Sequence, residues 1–90
     1  MAWTVEFVPA AAKELKALDR TVAARIVRTL EQRIATLDDP RGLGSALTGD
    51  HAGLWRWRIG DYRLIARIED ARITILIVRV AHRREVYPLG

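Results

Sequence analysis

Cysteine is absent from this chain of 90 residues, and lysine occurs only at positions 13 and 16. Without cysteine there is neither a disulfide framework nor a thiolate zinc site. The two histidines are too few for a dedicated metal site. No apolar run reaches the ~18 residues of a membrane span, and the N-terminus lacks the pattern of a secretory signal. We expect one soluble domain over residues 1–90, cytoplasmic and without a cofactor.

Arginine, by contrast, is abundant in the C-terminal part of the chain. Residues 1–53 are neutral, with seven basic and seven acidic side chains, whereas residues 54–90 have eight arginines and four acidic residues. The net charge of +4 therefore lies entirely in the second segment. Guanidinium groups make planar, two-point contacts with phosphates and carboxylates. This distribution favours a polyanionic partner, either a nucleic acid or an acidic protein.

The hydrophobic pattern predicts one strand, two helices and three further strands. Residues 3–8 alternate as a short strand, a first helical pattern follows, and a second helix is expected from about Thr21 to Leu37. Three strands follow, with the sequences LWRWRI, YRLIARIE and ITILIVRVA. The order β-α-α-β-β-β predicts an α+β fold, with a helical hairpin on one face of a mostly antiparallel sheet.

The segment of residues 40–53 is predicted to be a loop, because it contains four glycines. It lacks the G-K-[S/T] ending of a phosphate-binding loop, so nucleotide binding is not expected there. We expect Leu43 and Leu47 to hold this loop against the core.

The predicted hairpin around Gly60 and Asp61 sorts side chains by chemistry. With a two-residue turn, Arg58 stands opposite Arg63, and alternation along each strand separates an apolar face from a basic one. The apolar face contains Trp55, Trp57, Ile59, Tyr62, Leu64, Ala66 and Ile68. The other contains Arg56, Arg58, Arg63 and Arg67, and we call it the arginine face. Like charges directly opposite each other are destabilising by up to ~1 kcal/mol. A functional role would explain this unfavourable row of arginines, although a basic surface exposed to solvent is the simpler interpretation.

The last strand runs into the segment HRREVY, residues 82–87. His82, Arg83 and Arg84 would extend the arginine face if the strand pointed them that way, but both of its sides are apolar and the periodicity does not decide. Arginines stabilise charge that develops on a phosphate, and RNA supplies its own 2′-OH nucleophile. Tyr87 would stack on a base, a contact worth ~1–3 kcal/mol. The alternative is a solvated chain end, with Tyr87 in the core.

Two stretches, LWRWRIGDYRLIARIED and ITILIVRVAHRREVY, resemble the RelE toxins of bacterial type II toxin–antitoxin modules, within the RelE/ParE superfamily. The motifs that carry the resemblance are G-D-Y-R after an arginine-rich strand and a closing H-R-R-x-V-Y. It implies a metal-independent endoribonuclease that enters the ribosomal A site and cuts the mRNA codon there. The 2′-OH would attack the adjacent phosphate and leave a 2′,3′-cyclic phosphate and a 5′-OH. It also implies an antitoxin partner, through which the complex binds operator DNA.

The resemblance also implies roles for individual residues. Arg63 would stabilise the phosphate, Arg83 would assist the leaving group, and Tyr87 would orient the base. Arg56 and Arg58 would bind or activate the RNA.

Three further residues complete the predicted site. We add Arg67 and Arg84 as RNA-binding residues. Some RelE relatives have a lysine where this chain has Leu54, and arginine is a poor general base near neutral pH. Because histidine titrates close to neutrality, His82 is the candidate base.

Two alternatives share the predicted fold. The first is a ParE-like toxin that inhibits DNA gyrase and cleaves nothing, although such chains generally lack the full set of arginines and the terminal tyrosine. The second is a non-catalytic remnant that only binds its antitoxin and operator DNA.

Overall fold

The structure, a computed structural model, describes residues 2–86. Its elements are β1 (Thr4–Phe7), α1 (Pro9–Lys16), α2 (Arg20–Thr29), β2 (Ser45–Ala46), β3 (Leu54–Ile59), β4 (Tyr62–Glu69), β5 (Thr74–His82) and α3 (Arg83–Val86). Single turns of other helix types lie at Leu30–Ile34 (π) and at Pro40–Leu43, Gly49–His51 and Asp70–Arg72 (3-10). Among the described residues, no helix is long and apolar enough to span a membrane.

The five strands form one mixed sheet in the order β1-β5-β4-β3-β2. The pairs from β5 to β2 are antiparallel, and β1 alone runs parallel to its neighbour, with Thr4 opposite Thr74. The predicted mostly antiparallel sheet is therefore confirmed. The short strand β2 was not predicted, because two residues leave no periodic signal.

Both long helices pack on one face of the sheet, as predicted. Asp19 caps α2, since its Oδ2 accepts a hydrogen bond from the Thr21 N–H at 3.2 Å. The indole N–H of Trp57 is buried and donates to the Pro40 carbonyl at 3.0 Å. The buried core between helices and sheet contains Ala11, Ile26, Leu30, Ile34, Ala35, Trp57, Ile59, Leu64, Ala66, Ile75, Ile77 and Val80. The apolar face of the predicted hairpin is thus the face that contacts the helices.

The second helix ends earlier than its sequence pattern predicts. The α-helix stops at Thr29, and one wider π turn carries the chain to Ile34, where the Ala35 N–H donates to the Leu30 carbonyl at 2.7 Å. The Ala35 carbonyl then accepts from the Trp3 N–H at 2.8 Å, at the entrance to β1. The predicted end at Leu37 is therefore wrong, because this helix end binds the N-terminal strand.

The expectation for Leu43 is also wrong, because its side chain is 56% exposed. The 3-10 turn that contains it is held by Arg41, whose Nη2 lies 2.7 Å from Asp70 Oδ2 and whose Nη1 lies 3.1 Å from Asp39 Oδ1. Hydrogen bonding from Arg41 lowers the pKa of the Asp70 carboxyl. This contact therefore stabilises the fold above the ordinary pKa of an aspartate, and its contribution is lost as the pH falls through the lowered value.

Candidate functional site

The hairpin of β3 and β4 has the predicted register. Ile59 pairs with Tyr62, and Arg58 pairs with Arg63. Gly60 has a φ of 59°, and Asp61 has a negative φ, a combination found in the type II′ turn that suits tight hairpins. Because the register and the turn both follow the prediction, the four arginines of β3 and β4 fall on the side of the sheet away from the helices.

Arg63 is fixed against the hairpin turn. Its side chain is buried, with 9% of the residue exposed, and its Nη1 donates to the carbonyl oxygens of Gly60 at 3.1 Å and Tyr62 at 2.9 Å. These two bonds hold the guanidinium in one orientation and also satisfy carbonyls of the turn. The pattern of the sequence showed which face Arg63 occupies, but it did not show that Arg63 supports the turn.

Arg83 reaches the same turn from the end of β5. Its backbone N–H donates to the Asp61 carbonyl at 2.8 Å, while its side chain is exposed. The first residue of α3 therefore lies beside the turn that Arg63 holds. This contact places the backbone of Arg83 beside the turn whose carbonyls Arg63 binds, although the two residues are twenty positions apart in the chain.

His82 takes a different direction from the arginines. It pairs with Tyr62, and the two rings meet edge to face with their centroids 5.5 Å apart. Directly paired residues share a side of the sheet, so His82 lies on the side of the helices rather than on the arginine face. Its Nδ1 accepts from the Arg84 N–H at 3.3 Å. The structure therefore does not bring the His82 ring together with the four arginines.

The remaining predicted RNA-binding residues are spread along the hairpin. Arg56 is partly exposed and lies between Ser45 of β2 and Ile65 of β4. Arg67 is exposed and stands four residues from Arg63, about 13 Å along β4. Arg58 and Arg84 are exposed near the turn and at the start of α3. The arginine face is thus a band along the hairpin rather than a compact cluster.

The middle of the arginine face is apolar. Leu47, Ile65 and Ala81 are buried there, and Leu54 and Val78 pack against them. Leu47 was expected to hold the loop to the core, and it does so, but on the opposite side of the sheet from the helices. Because Leu47, Ile65 and Ala81 are buried, the apolar surface that a ligand could contact there comes from the half-buried Leu54 and Val78.

Two further arginines, Arg25 of α2 and Arg33 of the π turn that follows it, lie near the arginine face. The Arg25 Nη1 lies 3.2 Å from the position that a Cβ on Gly60 would occupy. Arg33 and Arg58 line a cleft of about 190 Å³, together with Thr29, Ile34, Leu43 and Trp57. Arg25, Thr29 and Arg33 are spaced by four, which places them in one row along the helix. This spacing is visible in the sequence and could have indicated that the two arginines share one side of the helix.

Two further points concern the limits of the site. Tyr87, predicted to stack on a base, lies outside the described residues. Within residues 2–86, no cluster of three or more histidine, aspartate or glutamate side chains is arranged so that it could hold a metal ion. The chemistry available from the described part of the site is therefore that of fixed and mobile guanidinium groups, one imidazole and backbone N–H groups.

Known proteins resemble this chain over most of its length. The family described as the ParE toxin of the type II toxin–antitoxin system parDE matches residues 5–87. Toxin RelG of Mycobacterium tuberculosis is 33% identical over 97% of this chain and 98% of its own length. Toxin RelE of the same organism is 32% identical, over 96% of this chain and 87% of its own length.

Solved structures agree with these sequence matches. The toxin–antitoxin complex RelBE2 of M. tuberculosis contains a chain that is 32% identical, with a TM-score of 0.84 and coverage of 92% of this chain and 93% of that one. The isolated RelE toxin of Escherichia coli, at 19% identity and a TM-score of 0.69, shares the fold, over 90% of this chain and 84% of its own. This chain belongs to the RelE/ParE superfamily of toxins of type II toxin–antitoxin systems.

Proposed function

We propose that this toxin is an endoribonuclease that cuts mRNA codons in the ribosomal A site, the activity that its RelE-like motifs imply. The main support is that the guanidinium of Arg63 and the backbone N–H of Arg83 both bind carbonyls at the Gly60–Asp61 turn. Arg58 stands opposite Arg63. In the proposed reaction the RNA 2′-oxygen forms a bond to the adjacent phosphorus and the bond to the 5′-oxygen breaks. The departing 5′-oxygen takes a proton from water, and the products are a 2′,3′-cyclic phosphate and a 5′-OH.

The arginines at the turn would act through their charge. Arg63 is held by two carbonyls, so its charge is already oriented before the phosphate becomes more negative, which is the condition for effective electrostatic catalysis. The exposed side chain of Arg83 would lie near the departing 5′-oxygen. Tyr87 would orient the base by stacking, as the resemblance implies. Each role asks only for positioning and charge stabilisation.

The candidate base for proton removal from the 2′-OH is His82. Its ring lies on the helix side of the sheet against Tyr62, so the 2′-OH would have to reach it around the end of β5 rather than across the arginine face. The Nδ1 of His82 accepts from the Arg84 N–H, so a neutral ring carries its proton on Nε2. For His82 to accept a proton, its Nδ1 must exchange this partner for the RNA hydroxyl. His82→Asn tests the assignment, because asparagine keeps a hydrogen-bonding group but cannot take the proton, so the cleavage rate should fall by about 10²-fold or more. An unchanged rate would transfer the role to another group.

The long arginine face would bind the RNA backbone through Arg56, Arg58, Arg67 and Arg84. We expect the affinity for mRNA-programmed ribosomes to fall steeply with salt, with a log–log slope of about −3 if all four arginines contact phosphates. Arg67→Gln should reduce that slope by about 0.7. Lys16→Gln, a change of equal charge at the exposed end of α1, should leave it unaltered. A flat salt response would show that the arginines do not hold the RNA.

A cognate antitoxin would neutralise this activity. Similar chains occur in solved toxin–antitoxin complexes from M. tuberculosis and E. coli. The charge of the arginine face, together with the half-buried Leu54 and Val78, fits a segment with acidic and apolar side chains. We propose that the antitoxin covers this face and wraps the helices, and that the complex binds operator DNA through the antitoxin.

The decisive experiment is primer extension on cellular mRNA after brief expression of the toxin without an antitoxin. We expect growth to stop and cuts to appear at codon spacing within translated regions. Cuts that persist when translation initiation is blocked would contradict ribosome dependence. Healthy growth with abundant soluble protein and intact mRNA would favour the non-catalytic remnant.

A second candidate, inhibition of DNA gyrase, is favoured by the match of residues 5–87 to the ParE toxin family. This candidate makes the arginine face a protein-binding surface and requires no cleavage. Growth arrest with intact mRNA and induced DNA damage would support it. Supercoiling by purified gyrase, measured with and without the toxin, separates the two candidates directly.

A further inference from the structure

Helix α1 contacts the end of β5 through the carboxylate of Glu14. Its Oε1 accepts a hydrogen bond from the Val80 N–H at 2.8 Å, and its Oε2 lies 3.5 Å from the Nε of Arg79. The side chains of Glu14 and Arg79 are each only about one-third exposed, at 34% and 33%. One acidic side chain therefore joins a helix to two consecutive residues of the strand that leads into the candidate site.

Those two residues follow an irregularity in β5. Ile65 of β4 pairs with Arg79 and Ala66 pairs with Ile77, so Val78 is an additional residue on β5 without a counterpart on β4. Such a bulge shifts the alternation of side chains by one position. Before it, Ile77 faces the helices; after it, Val80 does.

The shift determines which residues reach the arginine face. In an unbulged strand, Arg79 and Ala81 would follow Ile77 into the helix-side core, where an arginine is costly to bury. With the bulge, Ala81 pairs with Arg63 and packs with the buried residues of the arginine face. The last residue of β5, His82, then leads directly to Arg83 at the hairpin turn. The placement of Arg83 therefore depends on the bulge.

The bulge occurs where the pairing of β5 with β1 ends. Strand β1 covers β5 only as far as Ile77, which pairs with Phe7 and accepts a hydrogen bond from the Val8 N–H. The chain then turns into α1 at Pro9, and no strand among residues 2–86 continues along that edge. An N–H group left without a partner at a partly buried edge is destabilising. Glu14 provides the acceptor for Val80 and the counter-charge for Arg79.

We propose that Glu14 is a positioning residue for the candidate site. It holds the bulged end of β5, and thereby sets where Arg83 meets the turn. It does not contact the substrate. The expected effect on cleavage rests on the proposed function, whereas the effect on the geometry of β5 does not.

The test compares Glu14→Gln with Glu14→Ala. Both remove the negative charge, but the glutamine amide oxygen still accepts from the Val80 N–H. We expect Glu14→Gln to cleave within about threefold of the unmodified toxin. Glu14→Ala should lower kcat by about 10²-fold with little change in KM, the scale of loss expected when a catalytic group is misplaced by about 1 Å. Glu31→Ala, an exposed acid on the π turn after α2, is the control of equal charge.

Backbone amide spectra provide the measurement that is independent of activity. In Glu14→Ala, the amide resonances of Ala81 and Arg83 should shift, and the Arg83 N–H should lose its protection from exchange. Glu14→Gln should change neither. If Glu14→Ala does not fold, Glu14→Asp is used in its place, because the shorter side chain keeps the charge but does not reach Val80. Glu14→Asp should then show the same fall in kcat and the same loss of protection at the Arg83 N–H.

The outcomes separate the two proposals. A folded Glu14→Ala or Glu14→Asp protein with lower thermal stability but unchanged kcat and unchanged Ala81 and Arg83 amides would reduce Glu14 to an ordinary stabilising residue. Equal losses in the glutamine and alanine variants would show that charge, rather than the bond to Val80, matters. If the unmodified toxin cuts no mRNA, the proposed function fails, while the amide spectra still decide whether Glu14 positions the end of β5.

Discussion

Arg83→Ala should abolish mRNA cleavage and leave the fold intact. The side chain is exposed, and the contact with the Asp61 carbonyl is made by the backbone N–H, which alanine retains. Removing one cation from a preorganised site for a phosphate should lower the cleavage rate by about 10²–10³. Stability should change by less than about 0.5 kcal/mol, as at ordinary surface positions.

Three measurements test this separation of activity from stability: single-turnover cleavage on programmed ribosomes, thermal unfolding, and antitoxin binding. Only the rate of cleavage should change. Arg28→Ala is the matched control, because it removes an exposed arginine of α2 to which no role in the site is assigned. A stable Arg83→Ala protein with full toxicity would show that Arg83 is not part of the site. The segment HRREVY would then be an ordinary charged segment exposed to solvent.

Arg63→Ala should lose both activity and stability. From the sequence pattern alone, this change resembles Arg83→Ala and should leave stability unaltered, because it relieves the repulsion with Arg58. The structure revises that expectation, since Arg63 donates to the carbonyls of Gly60 and Tyr62. Loss of a donor from partly buried carbonyls costs about 1–3 kcal/mol. We expect this loss in chemical denaturation, together with a fall in cleavage as large as that for Arg83→Ala.

The matched control for Arg63 is its cross-strand neighbour. Arg58→Ala removes an exposed arginine from the directly opposite position and should leave stability equal or a few tenths of a kcal/mol higher. Arg63→Lys should retain the charge but lose the planar group that meets two carbonyls. If Arg63→Ala unfolds at the same denaturant concentration as the unmodified toxin, the turn does not depend on Arg63.

The hairpin was the most predictable part of the fold. Gly60 and Asp61 mark a two-residue turn, and strict alternation on both sides fixes which residues pair. Register, turn and the division into two faces then follow from local rules. Ile26, Leu30 and Ile34 recur every four residues, and this spacing predicts the buried side of α2 and of the π turn that follows it.

Features that depend on distant parts of the chain were not predictable. The end of α2 is set by a bond from Trp3, and Leu43 is exposed because Arg41 holds its turn from outside. In β5, the bulge at Val78 shifts the alternation in the middle of an apolar strand. Apolar residues on both sides hide such a shift, which is why the sequence did not decide the direction of His82.

The face on which the four hairpin arginines lie was predictable, but the groups around them were not. The face occupied by Arg56, Arg58, Arg63 and Arg67 follows from alternation, and the motifs added Arg83 and Tyr87. Arg25 and Arg33 belong to a helix, and their approach to the hairpin depends on how that helix packs. Packing angles leave no signal in a single sequence, so the extension of the basic surface around the edge of β3 required the structure.

The parallel pairing of β1 with β5 has a consequence for the synthesis of the toxin. Thr4 and Thr74 are neighbours in the sheet, yet the ribosome makes β1 first and β5 last. Because β5 lies between β1 and β4, the sheet closes only after nearly the whole chain has left the ribosome. Pairing over so long a separation in sequence is slow compared with the formation of local hairpins. A nascent chain therefore lacks the arrangement of Arg63 and Arg83 until β5 has been made and has paired.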